Sequence, residues 1–281
     1  VPGSSTRAAR RRYGFWYRLA AAIAKPPLFV LTKRDWRGYE NFPAEGGFLT
    51  AINHNSYLDP LVYGHYQYDS GRPARFLAKA GLFKVPGVKQ ILHGAGMIPV
   101  YRGSADAAHA FRAAIAAVNQ GECVAFYIEG TLTRDPALWP MTGKTGAARI
   151  ALETGAQVIP VAQWGAHEIM PRYAKGGRGN RRFKPFPRHT VKVLAGPPVD
   201  LDRWRGQELT GTVLREATDA IMNDITALLE QLRGEKAPAE RFDMAKARAG
   251  AKRENAREHE RESAPEHERE NAREIEKESA E

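Results

Sequence analysis

A histidine and a carboxylate lie five residues apart in Asn53-His54-Asn55-Ser56-Tyr57-Leu58-Asp59. A carboxylate beside an imidazole holds one tautomer of the ring and makes it a better general base. Taken singly, Asp59 before Pro60 reads as a helix cap and His54 as a core histidine. Together, between an apolar strand and a helix start, they read as a catalytic pair. The chain has no Gly-x-Ser-x-Gly elbow and no other evident nucleophile, so the proton that His54 removes belongs to a substrate. Backbone amides at the helix start after Asp59 are candidate donors to a developing oxyanion.

The pair needs elements to hold it. Short apolar runs at 48–52, 75–78, 97–101, 124–128, 158–162 and 191–194 read as strands. Helical stretches lie between them. Residues 104–120 are alanine-rich and stop at Gly121, and residues 144–154 stop at Gly155. Residues 208–232 place Leu209, Val213, Ala217, Ile221, Ile225 and Leu228 along one side. Strands alternating with helices predict an α/β fold, a mixed and largely parallel sheet flanked by helices. Sites in such sheets lie beyond the carboxyl ends of the strands, where residues 53–59 fall.

The 281 residues suffice for one sizeable core with appendages. The formal net charge is +10. Residues 235–281 hold 14 acidic and 11 basic side chains, which leaves +13 on residues 1–234. So basic a body calls for an anionic partner. Residues 1–12 read as a basic arm. Residues 13–31 are aromatic and apolar, with Arg18 and Lys25 placed to snorkel, and read as an interfacial helical segment that associates with a membrane. No run of about 18 uncharged apolar residues predicts a membrane-crossing helix, and no cleavable leader is evident. Past Gly234 the sequence becomes a charged low-complexity tail in which Arg-Glu-Asn-Ala-Arg-Glu recurs at 253 and 269. The expected organisation is therefore 1–34 arm and interfacial segment, 35–233 catalytic domain, 234–281 tail. Cys123, the single cysteine, sits in an apolar run and reads as a core residue. The remaining histidines show no metal-ligand spacing, so no metal is expected. Gly143-Lys144-Thr145 lacks the first glycine and the leading strand of a P-loop.

Asn53-His54-Asn55-Ser56-Tyr57-Leu58-Asp59 resembles the N-H-x-S-x-x-D run (the HX4D motif) of the glycerolipid acyltransferase family, in particular its bacterial 1-acylglycerol-3-phosphate acyltransferases. Three further blocks follow in order: residues 96–102, ending in Arg102; Tyr127-Ile128-Glu129-Gly130-Thr131; and Val158-Ile159-Pro160-Val161. The resemblance spans roughly residues 35–200. It implies that His54 is the general base and that Asp59 orients it. It also implies that Arg102 binds an acceptor phosphate, and that Glu129, Gly130, Thr131 and Lys79 serve substrate binding. The implied co-substrate is acyl-coenzyme A or acyl carrier protein, with no resident cofactor. Two positions depart from the family's pattern. Ile128 replaces the usual proline, and Leu132 stands where an arginine usually follows Glu-Gly-Thr. A phosphate ligand is then absent, or supplied by Arg134 or Lys144.

The expected activity is acyl transfer to the 2-hydroxyl of 1-acylglycerol 3-phosphate, giving phosphatidic acid in phospholipid synthesis. Its expected place is the cytoplasmic face of the plasma membrane, peripheral or monotopic, on an anionic surface. The substitution at Leu132 keeps another lyso-lipid or a glycolipid open as acceptor. The basic loop with Lys175, Arg178, Arg181, Arg182 and Lys184 is expected to touch the membrane. The net charge alone admits a nucleic-acid-binding protein, but that reading leaves the four ordered blocks unexplained, and no nucleic acid is expected as partner.

Overall fold

A computed structural model describes residues 13–100, 104–171, 183–247 and 249, with side chains in 104–119 described from residue 108 onward. The basic arm, most of the basic loop and nearly all of the repeat-bearing tail lie outside the described residues. The chain falls into two units, Val1–Arg241 and Phe242–Glu281.

In the first unit a seven-stranded sheet carries helices on both faces. Its strands are β1 (Thr32–Arg37), β2 (Phe48–Ile52), β3 (Ala74–Lys79), β4 (Ile98–Val100), β5 (Cys123–Tyr127), β6 (Gln157–Trp164) and β7 (His189–Ala195). The helices are α1 (Phe15–Leu31), α2 (Asp59–Asp69), α3 (Val88–Gly94), α4 (Ser104–Asn119), α5 (Gly146–Thr154), α6 (Ala166–Ile169) and α7 (Gly211–Arg233). The strand order is β1-β7-β6-β2-β5-β3-β4. The five strands from β6 to β4 are mutually parallel. β7 runs antiparallel to β6, and β1 runs parallel to β7.

β2 is the central strand, and all five of its residues are buried, as a parallel strand covered on both faces must be. Its period of two sorts its side chains between two cores. Leu49 and Ala51 join Val124, Phe126 and Val158 beneath α4, α5 and α7. Phe48 and Ile52 join Ala125, Ile159 and Val161 with Val62, Tyr63 and Tyr66 of α2 on the other face. Each large apolar side chain so buried contributes about 1.5–3 kcal/mol over an exposed one. The anticipated stops hold: Gly121 and Gly155 both adopt positive φ at their helix ends, where a side chain would strain the backbone. Cys123 is buried, as its apolar run suggested.

β1 was not anticipated. Its sequence, Thr-Lys-Arg-Asp-Trp-Arg, carries four charges, and an edge strand half in water tolerates them. The expected domain boundary after residue 34 falls inside this strand. α1 therefore runs directly into the sheet, and one of its faces is bound to the domain. Leu28 is buried, Lys25 Nζ meets Asp69 Oδ1 at 2.7 Å, and the Tyr13 ring stacks on Tyr68 at 4.4 Å. Arg188 donates to the Phe29 and Thr32 carbonyls at 2.7 Å each. Its other face leaves Phe15, Ile23, Phe29 and Val30 exposed. No helix among the described residues is long and apolar enough to cross a membrane.

β6 turns into α6 at Gly165, which holds φ +102°, and a Cβ there would overlap the Thr190 carbonyl oxygen. Gly165→Ala is expected to destabilise the fold by more than about 2 kcal/mol through combined strain and overlap, measured as a fall in urea midpoint at unchanged slope.

Candidate active site

The carboxyl ends of β2, β5 and β6 lie level, with Ile52 in register with both Tyr127 and Val161. Beyond them the Asn53 side chain extends the sheet. Its Nδ2 donates to the Gln163 carbonyl at 3.0 Å, and its Oδ1 accepts from the Gln163 amide at 2.7 Å. A side-chain amide thus imitates one more rung of the ladder, so the following residue leaves the strand at a fixed point.

That residue is His54. Its Nδ1 lies 3.0 Å from Asp59 Oδ2. The same oxygen accepts from the backbone amides of Asn55 at 2.6 Å and Ser56 at 2.7 Å, and Asp59 is 1% exposed. Amides can only donate, so this oxygen is an acceptor throughout and Nδ1 supplies the hydrogen. The neutral ring then keeps its lone pair on Nε2. The tyrosine ring of Tyr127 stacks on the imidazole at 4.2 Å and 29° and fixes its plane. Ser56 is buried too. Its hydroxyl accepts from the Leu58 amide at 3.1 Å and lies 2.7 Å from the Met170 carbonyl, to which it donates.

This geometry corrects two expectations. Asp59 does not cap α2, because the helix begins at Asp59 itself with Leu58 at the cap position. Its carboxylate turns back to the preceding loop and holds that loop's amides. The amides around the helix start do not serve as oxyanion donors either. Leu58 bonds to Ser56 Oγ, Asp59 to the Ser56 carbonyl, and Leu61 and Val62 to the Leu58 carbonyl, while Pro60 has no N–H.

Glu129 follows β5 and faces inward. Its Oε1 accepts from the His54 amide at 3.1 Å and its Oε2 from the Met141 amide at 2.9 Å. At 1% exposure it presents no oxygen to a substrate hydroxyl. It ties the His54 loop to the returning segment at Met141 instead. Thr133 adds a second tie by donating its amide to the His54 carbonyl at 2.8 Å. Burial pushes the Glu129 carboxyl up to about 8, against the opposing pull of the Met141 and His54 amides.

Gly130 is exposed at φ +70° and Thr131 is half-buried. Lys79 ends β3, exposed, in register with Val100 of β4. It stands two strands from β2, about 10 Å across the sheet. Arg102 lies outside the described residues, two positions beyond Val100. The structure thus brings His54, Asp59 and Glu129 into one hydrogen-bonded unit at the sheet end and sets Gly130 and Lys79 along the same edge. Tyr127, Asn53, Ser56 and Gln163 belong to the unit without having been anticipated. For Tyr127 the signal was present: the alternation along β5 puts it on the face that α2 covers. Among the described residues no cluster of histidine, cysteine and carboxylates suits a metal ion.

Because the folded chain holds a proton on Glu129 up to about 8, while the unfolded carboxyl loses it near its ordinary value, stability is expected to fall as pH rises between those limits. The slope is at most about 1.4 kcal/mol per pH unit. Urea unfolding at pH 6, 7 and 8 measures it, and Glu129→Gln removes this component of the slope.

Residues 33–164 match the family model described as Acyltransferase. A chloroplastic 1-acyl-sn-glycerol-3-phosphate acyltransferase of Brassica napus is 30% identical over 169 residues, which are 59% of this chain and 47% of that protein. A 1-acyl-sn-glycerol-3-phosphate acyltransferase of Borreliella burgdorferi is 31% identical over 135 residues, 47% of this chain and 51% of that protein. The chain therefore spans about half the length of these two curated relatives. The crystal structure of the 1-acyl-sn-glycerophosphate (LPA) acyltransferase from Thermotoga maritima shares the fold. The TM-score is 0.56 at 21% identity, over 79% of this chain and 81% of that one.

Proposed function

We propose, taking residues 33–164 as a member of the acyltransferase family, that the protein moves a fatty acyl group from a thioester donor to the 2-hydroxyl of 1-acylglycerol 3-phosphate. The observation that carries this reading is the His54–Asp59 pair, with Nδ1 engaged and Nε2 left as base. Nε2 takes the hydroxyl proton as the oxygen attacks the thioester carbonyl. The tetrahedral intermediate then collapses, the C–S bond breaks, and the imidazolium returns its proton to the leaving sulfur. A new ester and a free thiol result. No acyl-enzyme is required, since the base acts on the second substrate directly. Asp59 stabilises the imidazolium, and Tyr127 and Glu129 hold the ring and its loop in place. The donor is acyl-coenzyme A or acyl carrier protein.

The names of the curated relatives favour lysophosphatidic acid as acceptor. A second reading, a lyso-lipid or glycolipid without that phosphate, draws on Leu132. It is 3% exposed, so no cation reaches the site from that position. One assay separates the two: labelled acyl donor with a panel of lyso-acceptors resolved by thin-layer chromatography. His54→Ala is expected to lower transfer at least about 10³-fold with unchanged circular dichroism. Full activity in that variant overturns the mechanism, and equal use of unphosphorylated acceptors overturns the lysophosphatidate reading.

The reaction belongs at a lipid surface, and the rim of the site supports this. Because β1 and β7 run opposite to β2, their amino ends, Thr32 and His189, lie at the end of the sheet that carries His54. The last turn of α1 arrives there with Phe29 and Val30 exposed. Exposed Tyr57 and Leu61 flank the catalytic loop and the start of α2, Leu82 and Val85 follow β3, and Phe183 and Phe186 precede β7. Lys33, Lys84, Lys89 and Lys184 interleave with them, all exposed. Apolar side chains ringed by cations suit an anionic bilayer interface. The double variant Phe29→Glu, Val30→Glu is expected to lower binding to phosphatidylglycerol-containing vesicles at least about tenfold, read by sedimentation. Its turnover of a short-chain, monomeric acceptor is expected to stay near wild type.

A further inference from the structure

A phosphorylated acceptor needs a cation within reach of the base, and buried Leu132 supplies none. The described cations along the carboxyl edge of the sheet are Lys79, Arg134 and Lys144. Lys79 is separated from β2 by the whole of β5. Arg134 is exposed and already has an interaction of its own.

Lys144 differs from both. After Glu129 the chain loops outward and returns, and the Lys144 amide donates to the Ile128 carbonyl at 2.8 Å. Three residues earlier, Met141 is bound to Glu129, the residue that also holds the His54 amide. Lys144 is therefore fixed beside the catalytic loop by backbone hydrogen bonds. Its Cγ lies 3.5 Å from where a Cβ on Gly130 would be. Its stem runs across a position that has no side chain to displace it. Lys144 is exposed, and among the described residues it has no ion-pair partner. The nearby Glu129 carboxylate does not neutralise it, because both of its oxygens are committed inward.

We infer that Lys144, its stem laid across Gly130, is the specificity-determining residue that binds the phosphomonoester of the acceptor. This deepens the reading proposed above and rests on it. An ammonium is a compact charge with three rotatable donors and lacks the planar fork of a guanidinium. It secures the charge of a phosphate while leaving the headgroup's orientation less constrained. Gly130 belongs to the same device: any side chain there would meet the lysine stem and push it aside.

Lys144→Gln keeps the length and removes the charge. The expected result is a rise of about tenfold in KM for 1-acylglycerol 3-phosphate at little-changed kcat, as loss of one charge-assisted hydrogen bond predicts. KM for acyl-coenzyme A and turnover of monoacylglycerol are expected to be unchanged, and Lys144→Arg to restore most of the affinity. Lys236→Gln, a surface lysine far along the chain, controls for the loss of one positive charge. Calorimetric titration of 1-acylglycerol 3-phosphate and of monoacylglycerol into wild type and Lys144→Gln provides a readout without turnover. Loss of the preference for the phosphorylated lipid supports the assignment. Unchanged binding and KM in Lys144→Gln overturn it, as does a rise in KM for acyl-coenzyme A alone, which transfers Lys144 to the donor's phosphates. A wild-type protein that acylates no lyso-lipid overturns the proposed reaction instead, and the titration still decides whether Lys144 reads a phosphate.

Discussion

One carboxylate oxygen organises the site. Asp59 Oδ2 accepts from His54 Nδ1 and from the amides of Asn55 and Ser56. A buried carboxylate is tolerable only when its charge is met by donors, and here the donors are the catalytic ring and the loop that carries it. The loop has little freedom to bend otherwise, since moving it would strip a buried charge of two amides. The requirement to satisfy Asp59 and the requirement to aim His54 are thus met by the same bonds. This explains why the two residues are separated by a tight turn rather than by a longer loop.

The surrounding structure repeats that logic at longer range. Glu129 ties the His54 amide to Met141, Asn53 ties the end of β2 to Gln163, and Ser56 ties the loop to the segment after α6. Each tie joins the central strand to a different neighbour, so the loop is held from β5, from β6 and from beyond α6. Positioning of this kind is what a general base requires, because proton transfer depends steeply on geometry. It also accounts for the inward turn of Glu129, which the linear order of residues gave no reason to expect.

α1 carries the same division of labour to the surface. Its inner side is bound by Lys25–Asp69, by the Tyr13–Tyr68 stack and by buried Leu28, and its outer side is left apolar and exposed. Interfacial anchoring and packing on the protein's own core looked like alternatives for residues 13–31. A helix has two faces, and in this one they serve different surroundings.

The sequence by itself determined the alternation of strands and helices, the continuous apolar run of β2, the glycine stops at 121 and 155, and the placement of His54 and Asp59 at a strand–helix junction. These follow from local periodicity and from the few residues able to take positive φ or to act as a base. Only the tertiary structure decided that charged residues 32–37 form an edge strand, because their hydrogen-bond partner, β7, lies more than 150 residues away. Tertiary packing also settled the direction of the Asp59 and Glu129 side chains. Both point toward amides that become neighbours only once β2, β5 and the returning segment at 141–144 are assembled. The place of Lys144 beside Gly130 has the same origin: fourteen residues of chain separate the two, and a backbone hydrogen bond to Ile128 brings them together.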